Sequence, residues 1–211
     1  MNLHEWSHSL GLEHPFEAGD GDIYRSNIDP CTSAYPEQTV MAYRNPLIEV
    51  WGAERQFLVD GGSRFDGNSY KDDVFGGPGA DRITGEGGFD VIAGGAGDDE
   101  LRGGRNGDQV RGGAGNDQLF GGLGHDTLFG GRGDDDMRGG FGGDLFELSE
   151  GNDRIEDFRF SEDDRLAIQG GVSYELLQQG NDLQVVTSFG TTTHWEVDLN
   201  RFLVENRIVT I

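Results

Sequence analysis

The chain has 211 residues, 39 Asp and Glu against 16 Lys and Arg, a formal net charge of -23, and only 34% hydrophobic residues. Low hydrophobicity with high charge cannot offset the entropy of ordering, so the chain either stays unfolded or folds around cations. The acid excess excludes nucleic acid and anionic lipid surfaces, no apolar run reaches the roughly 18 residues of a membrane span, and a single cysteine, Cys31, excludes an internal disulfide framework.

The first element is the run MNLHEWSHSLGLEH. His4 and His8 are four residues apart, which on a helix puts both imidazoles on one face, and Glu5 stands beside them where it can polarise a metal-bound water. Gly11 can end the helix in a left-handed turn and let His14 swing back as a third ligand. Three histidines plus water form a catalytic zinc set with an open position, unlike a closed structural site. The next element is Thr39-Val40-Met41-Ala42-Tyr43.

The pattern HExxHxxGxxH followed by Met-x-Tyr resembles the serralysins, metzincin peptidases of family M10. The resemblance implies one catalytic zinc held by His4, His8 and His14, with Met41 in the turn beneath it and Tyr43 as a further ligand or oxyanion stabiliser. Glu5 would take the proton of the zinc-bound water and deliver it to the leaving amine, so that internal bonds of a protein or peptide substrate are hydrolysed. Serralysins place a substrate-binding half before the zinc helix, whereas here that helix starts almost at Met1. Residues 1–57 therefore read as a truncated, α-helical zinc-peptidase remnant, a fragment or shortened copy that would bind zinc poorly and cleave slowly or not at all.

From residue 67 the chain falls into nines without insertion: GNSYKDDVF, GGPGADRIT, GEGGFDVIA, GGAGDDELR, GGRNGDQVR, GGAGNDQLF, GGLGHDTLF, GGRGDDDMR, GGFGGDLFE. The sixth position is Asp in all nine units: Asp72, Asp81, Asp90, Asp99, Asp108, Asp117, Asp126, Asp135 and Asp144. The eighth is always apolar, from Val74 and Ile83 to Met137 and Phe146. Glycine at positions one, two and four permits positive φ and a tight turn, and the remainder alternates polar, apolar, polar like a short strand. Two units make one flattened turn of a parallel solenoid, with coils about 4.8 Å apart and an apolar column inside. Position-six carboxylates of units n and n+2 then share a flank in adjacent coils and repel unless a cation lies between them. Carboxylate and turn-carbonyl oxygens suit calcium, and nine units offer seven such pairs. The repeats resemble the RTX nonapeptide, which implies a calcium-binding β-roll over residues 58–147. Its first unit, with Asn68 and Tyr70 in place of glycines, is expected to bind weakly or not at all.

Residues 148–211 read as a β-rich cap. Phe158, Leu166 and Ile168 can close the apolar column, and Val172–Leu177, Leu183–Thr187 and Trp195–Leu199 read as strands. His125 and His194 read as solvent-exposed. The end, Glu205-Asn206-Arg207-Ile208-Val209-Thr210-Ile211, fits an uncleaved type I secretion signal and a final strand equally well. With no N-terminal leader before the zinc helix, the expected route is a type I secretion transporter, and the expected product an extracellular monomer. In low calcium the Asp flanks repel and the chain stays threadable; in high calcium outside the cell it folds. The fold class expected is thus mainly β: a parallel β-roll with a β-rich C-terminal cap. Two functions follow, a secreted zinc metalloendopeptidase with calcium-binding repeats, or a non-enzymatic secreted calcium-binding RTX protein with a relic zinc motif.

Overall fold

The computed structural model describes residues 41–43, 55–59, 62, 64–194 and 196–211. These residues build two sheets facing each other. The first contains β1 (Met41–Tyr43), β2 (Arg55–Val59), β4 (Asp72–Pro78), β6 (Val91–Ala96), β8 (Gln109–Ala114), β10 (Thr127–Arg132), β12 (Leu145–Glu147), β14 (Arg165–Ile168) and β18 (Ile208–Thr210), in that spatial order. The second runs β3 (Arg64–Asn68), β5 (Arg82–Gly87), β7 (Glu100–Arg105), β9 (Gln118–Leu123), β11 (Asp136–Phe141), β13 (Arg154–Ile155), β17 (Thr191–His194), β16 (Asp182–Thr187) and β15 (Tyr174–Gln179). Within the repeats, each strand pairs in parallel with the strand 18 residues away, Ile92 with Val110 and Leu101 with Leu119, so two nonapeptides make one coil.

The strands are longer than the period suggests. β8 covers positions seven to nine of one unit and one to three of the next, leaving positions four to six for the turn. Within the repeats, positive φ is confined to positions two and four, as at Gly113 and Gly115, including the two departures from glycine there, Glu86 and Asn106. Glycine at position one serves a different need: a Cβ on Gly121 would lie 2.5 Å from Asp126 Oδ2 and 2.6 Å from the Gly139 carbonyl oxygen. The requirement there is steric, not conformational.

Between the sheets stands one column of side chains: Val74, Ile83, Ile92, Leu101, Val110, Leu119, Leu128, Met137 and Phe146, all fully buried. Each such side chain stabilises the fold by about 1.5–3 kcal/mol relative to exposure. Phe65 extends the column at one end, Ile155 and Leu166 at the other. The expected closing residues Phe158, Leu166 and Ile168 are buried, and Phe158 stands 6.2 Å from Phe146 and 5.8 Å from Phe202, ring centre to ring centre.

The cap departs from expectation in two places. Of the strand expected over 195–199, residue 195 lies outside the described residues, 196–198 form a turn and a cap, and Leu199 opens a helix, α1 (Leu199–Glu205), because the Asp198 carboxylate accepts the Arg201 N–H at 2.9 Å and caps it, while Asn206 ends it in the left-handed region. His194, expected in solvent, is completely buried with Phe158 5.5 Å from its ring, because β17 turns that side chain into the end of the core. The last residues form the strand β18, paired in parallel with β14. The boundary expected at 57/58 falls inside β2, and the cap strands continue the same two sheets without a break.

Candidate metal centre

Each coil has two flanks. Turns of the odd units (67–72, 85–90, 103–108, 121–126, 139–144) form the first, and turns of the even units (76–81, 94–99, 112–117, 130–135) the second. On both flanks the position-six aspartates are buried and linked along the axis. The N–H of Asp99 donates to Asp117 Oδ1 at 2.8 Å, that of Asp117 to Asp135 Oδ1 at 2.8 Å, and on the other flank that of Asp108 to Asp126 Oδ1 at 2.8 Å. One carboxylate oxygen per residue is thus occupied. The other, Oδ2 of Asp90, Asp99, Asp108, Asp117, Asp126, Asp135 and Asp144, is buried with no hydrogen-bond partner among the described residues.

A buried, unpaired carboxylate oxygen costs free energy that a single neutral hydrogen bond only partly offsets. Burial accordingly pushes the carboxyls of Asp108, Asp117 and Asp144 up to about 7, and those of Asp90, Asp99 and Asp126 up to about 6, against the lowering effect of the N–H each accepts. Neighbouring aspartates in the column push several of them further in the same direction. A carbonyl oxygen of the next coil lies close by: Asp126 Oδ2 and Gly139 O both border the place that a Cβ on Gly121 would take. Donors that are all hard oxygens, pre-placed and short of positive charge, fit calcium. Among the described residues no three His, Cys, Asp or Glu side chains converge on one point, so such an ion would be shared by carboxylates and backbone carbonyls.

The column ends differently from its middle. Asp72, in the first unit, accepts the Asn68 N–H on Oδ2 at 3.2 Å and the Asn68 side-chain amide at 3.3 Å. At the far end two aspartates absent from the sequence-based set continue the ladders. Asp153 accepts the Asp135 N–H at 3.2 Å and the Ser149 hydroxyl at 2.8 Å. Asp164 accepts the Asp144 N–H at 2.9 Å and the Arg159 N–H at 2.6 Å. Asp157 covers the last turn of the first flank, accepting from Gly139 at 2.9 Å and Gly140 at 3.0 Å. Asp153 was readable, since it lies nine residues after Asp144 with Ile155 at the eighth position. Asp164 was not, because 20 residues separate it from Asp144 instead of 18.

Of the zinc candidates, His4, Glu5, His8 and His14 lie outside the described residues. Met41 and Tyr43 lie in β1, an extended strand paired with β2 at Met41–Phe57 and Tyr43–Val59, where the sequence reading placed a turn.

A coiled parallel sheet with a carboxylate ladder on each flank defines a β-roll of the calcium-binding kind. Residues 66–101, 75–110, 102–137 and 111–146 each match the family described as the RTX calcium-binding nonapeptide repeat. The repeat region is therefore a set of RTX calcium-binding repeats. No curated protein matches the chain. Among solved structures, an extracellular lipase, LipA, from Serratia marcescens is similar at 19% identity and a TM-score of 0.40, covering 76% of this chain and 40% of its own. The AlgE6R3 subunit of the Azotobacter vinelandii mannuronan C5-epimerase is similar at 29% identity and a TM-score of 0.40, covering 53% of this chain and 77% of its own. The chain thus spans well under half of the lipase's length.

Proposed function

We propose that this chain is a secreted calcium-binding β-roll protein, and that calcium is what makes its repeats fold. One observation carries the reading: seven buried aspartate oxygens, from Asp90 to Asp144, with no hydrogen-bond partner among the described residues. Calcium between successive coils would be held by these carboxylates and neighbouring glycine carbonyls; Asp72 and Asp81 belong to the same position-six set. When bound, the ion supplies positive charge that the protein itself does not place there. The residues do the rest: position-one glycines leave room for each carboxylate, and the ladder N–H groups fix its orientation. Titration calorimetry with circular dichroism tests this. Several ions bound with a matching gain of β signal is the expected result, and no gain at saturating calcium would refute it.

A second reading keeps the peptidase. It rests on the intact HExxHxxGxxH at residues 4–14 and assigns His4, His8 and His14 to one zinc, with Glu5 as general base and Tyr43 as an oxyanion stabiliser. The proposal above treats this motif as a relic. Stoichiometric zinc together with gelatin cleavage abolished by Glu5→Gln would favour the enzyme instead. Export through a type I transporter belongs to both readings, and the C-terminal residues 205–211 are its candidate signal.

A further inference from the structure

The two flanks carry the same buried aspartates but opposite exteriors. Outward residues of the first flank, at 69–71, 87–89, 105–107, 123–125 and 141–143, include no acid in a chain of net charge -23. They present Tyr70 (54% exposed), Phe89 (66%), Leu123 (47%) and Phe141 (63%), together with Lys71, Arg105 and His125. The second flank presents no aromatic residue at the corresponding positions. It shows Pro78, Ala96, Ala114 and Arg132 as one column and Ala80, Asp98, Asn116 and Asp134 as another. Asp98, Asp134 and Arg105 are exposed and have no ion-pair partner among the described residues.

We infer that the first flank of one copy docks on the second flank of another, so that folded rolls associate side by side. Topology supports the pairing. On the first flank position three ends a strand of the second sheet and position five leads into the first sheet; on the second flank the order is reversed. Two copies in the same orientation therefore set position three of one against position five of the other. Aligning each odd turn with the even turn just before it in sequence puts Arg105 opposite Asp98, Phe89 opposite Pro78 and His125 opposite Ala114. Cation meets acid, and aromatic meets small apolar side chain. Both flanks have the same coil spacing, about 4.8 Å, and in the same register Leu123 lies opposite Asn116 and Phe141 opposite Asp134, so the complementary pairs are concentrated between residues 78 and 125.

The contact joins unlike surfaces and leaves one of each kind free at the ends, so it grows as an open row and not as a closed dimer. Overall repulsion between acidic copies is screened beyond about 8 Å at physiological salt, and the docking strip itself holds the opposite charges. This departs from the monomer expected from sequence, and it rests on the calcium-folded roll proposed above.

Sedimentation velocity of the full chain in calcium, at rising protein concentration, tests it, with circular dichroism of the same samples. The expected result is a distribution that moves to larger species with concentration, shifted back towards monomer by Phe89→Ser and by Arg105→Asp, each with unchanged β signal. Adding Asp98→Arg to Arg105→Asp should restore association. A folded chain that stays monomeric at every concentration, or association indifferent to all three substitutions, overturns the inference. Binding of a vesicle or a soluble polysaccharide by a monomeric wild-type chain also overturns it. A chain that gains no β signal in calcium overturns the calcium reading first, and the two failures are therefore distinguishable.

Discussion

The Ser149 hydroxyl donates to Asp153 Oδ2 at 2.8 Å, and with that bond the row of unpaired carboxylate oxygens on the second flank ends. Asp135, one coil earlier, has no such donor on its own Oδ2 among the described residues. The protein thus supplies from its own side chains at the terminus what it leaves open in the middle.

Substitution at the two places should have opposite signs. Asp117→Asn keeps the acceptor for the Asp99 N–H and removes a buried charge, so it should stabilise the calcium-free chain by about 1–3 kcal/mol while lowering calcium stoichiometry by at least one. Asp153→Ala leaves Ser149 and the Asp135 N–H without an acceptor, costs about 1–3 kcal/mol, and leaves the stoichiometry unchanged. Thermal melts and calorimetry, with and without calcium, distinguish the two.

Position one should be intolerant of alanine for a steric reason. In Gly121→Ala the new Cβ meets Asp126 Oδ2 and Gly139 O, so overpacking of about 1–3 kcal/mol should come with weakened calcium binding. Gly180→Ala is the comparison: its φ of 67° costs about 1–2 kcal/mol, but nothing lies within 4 Å of the added carbon. Calcium affinity should move in the first variant and not in the second.

The pH response should reverse with calcium. Without it, Asp108, Asp117 and Asp144 titrate in the fold near 7 and in the unfolded chain near 3.8, so the folded state binds more protons between those values. Their protonation then stabilises the fold fully below about pH 4, and that contribution is lost as pH rises through about 7. His194, whose burial holds it down at about 3, acts oppositely below its ordinary value of 6.5, but it is one group against several aspartates. Calcium needs ionised carboxylates, so the calcium-bound roll should gain stability as pH rises. Circular dichroism should show more β signal at pH 5 than at pH 8 in chelator, and melts should show greater stability at pH 8 than at pH 5 in calcium; the same pH trend under both conditions would contradict this account.

His194→Phe should raise the melting temperature. Both ring nitrogens of His194 are buried without a hydrogen-bond partner among the described residues, between Phe158 and Phe202. Replacing them with apolar atoms of similar shape removes that penalty, for a gain of about 1 kcal/mol. A lower melting temperature would indicate that the larger ring does not fit.

The sequence disclosed the roll because its constraint recurs every nine residues: each nonapeptide must bury one apolar side chain and one aspartate, and both sets are buried as the spacing requires. It was less informative where a residue's environment comes from a remote segment. His194 looked like a polar residue in a strand; only the Phe158 and Phe202 rings, from other parts of the chain, make it core. Asp164 was hidden by a two-residue interruption of the period, and α1 by an apolar run whose cap, Asp198, outweighs its strand character. Of the zinc set, only Met41 and Tyr43 can be compared with the structure, and there a local motif lies in an extended strand continuous with the roll.

Because consecutive units alternate between flanks, the repeat number has a parity. Removing 18 residues from the middle of the roll would shorten it by one coil and return every later side chain to its original side. Removing nine would transfer Leu123, His125 and Phe141 to the flank that now carries Asp98, and move Asp134 to the other. A lineage altering this protein by whole nonapeptides could therefore preserve the ladder and the core at every step, yet mix the characters of its two outer surfaces, beyond the point of the change, with a single odd deletion.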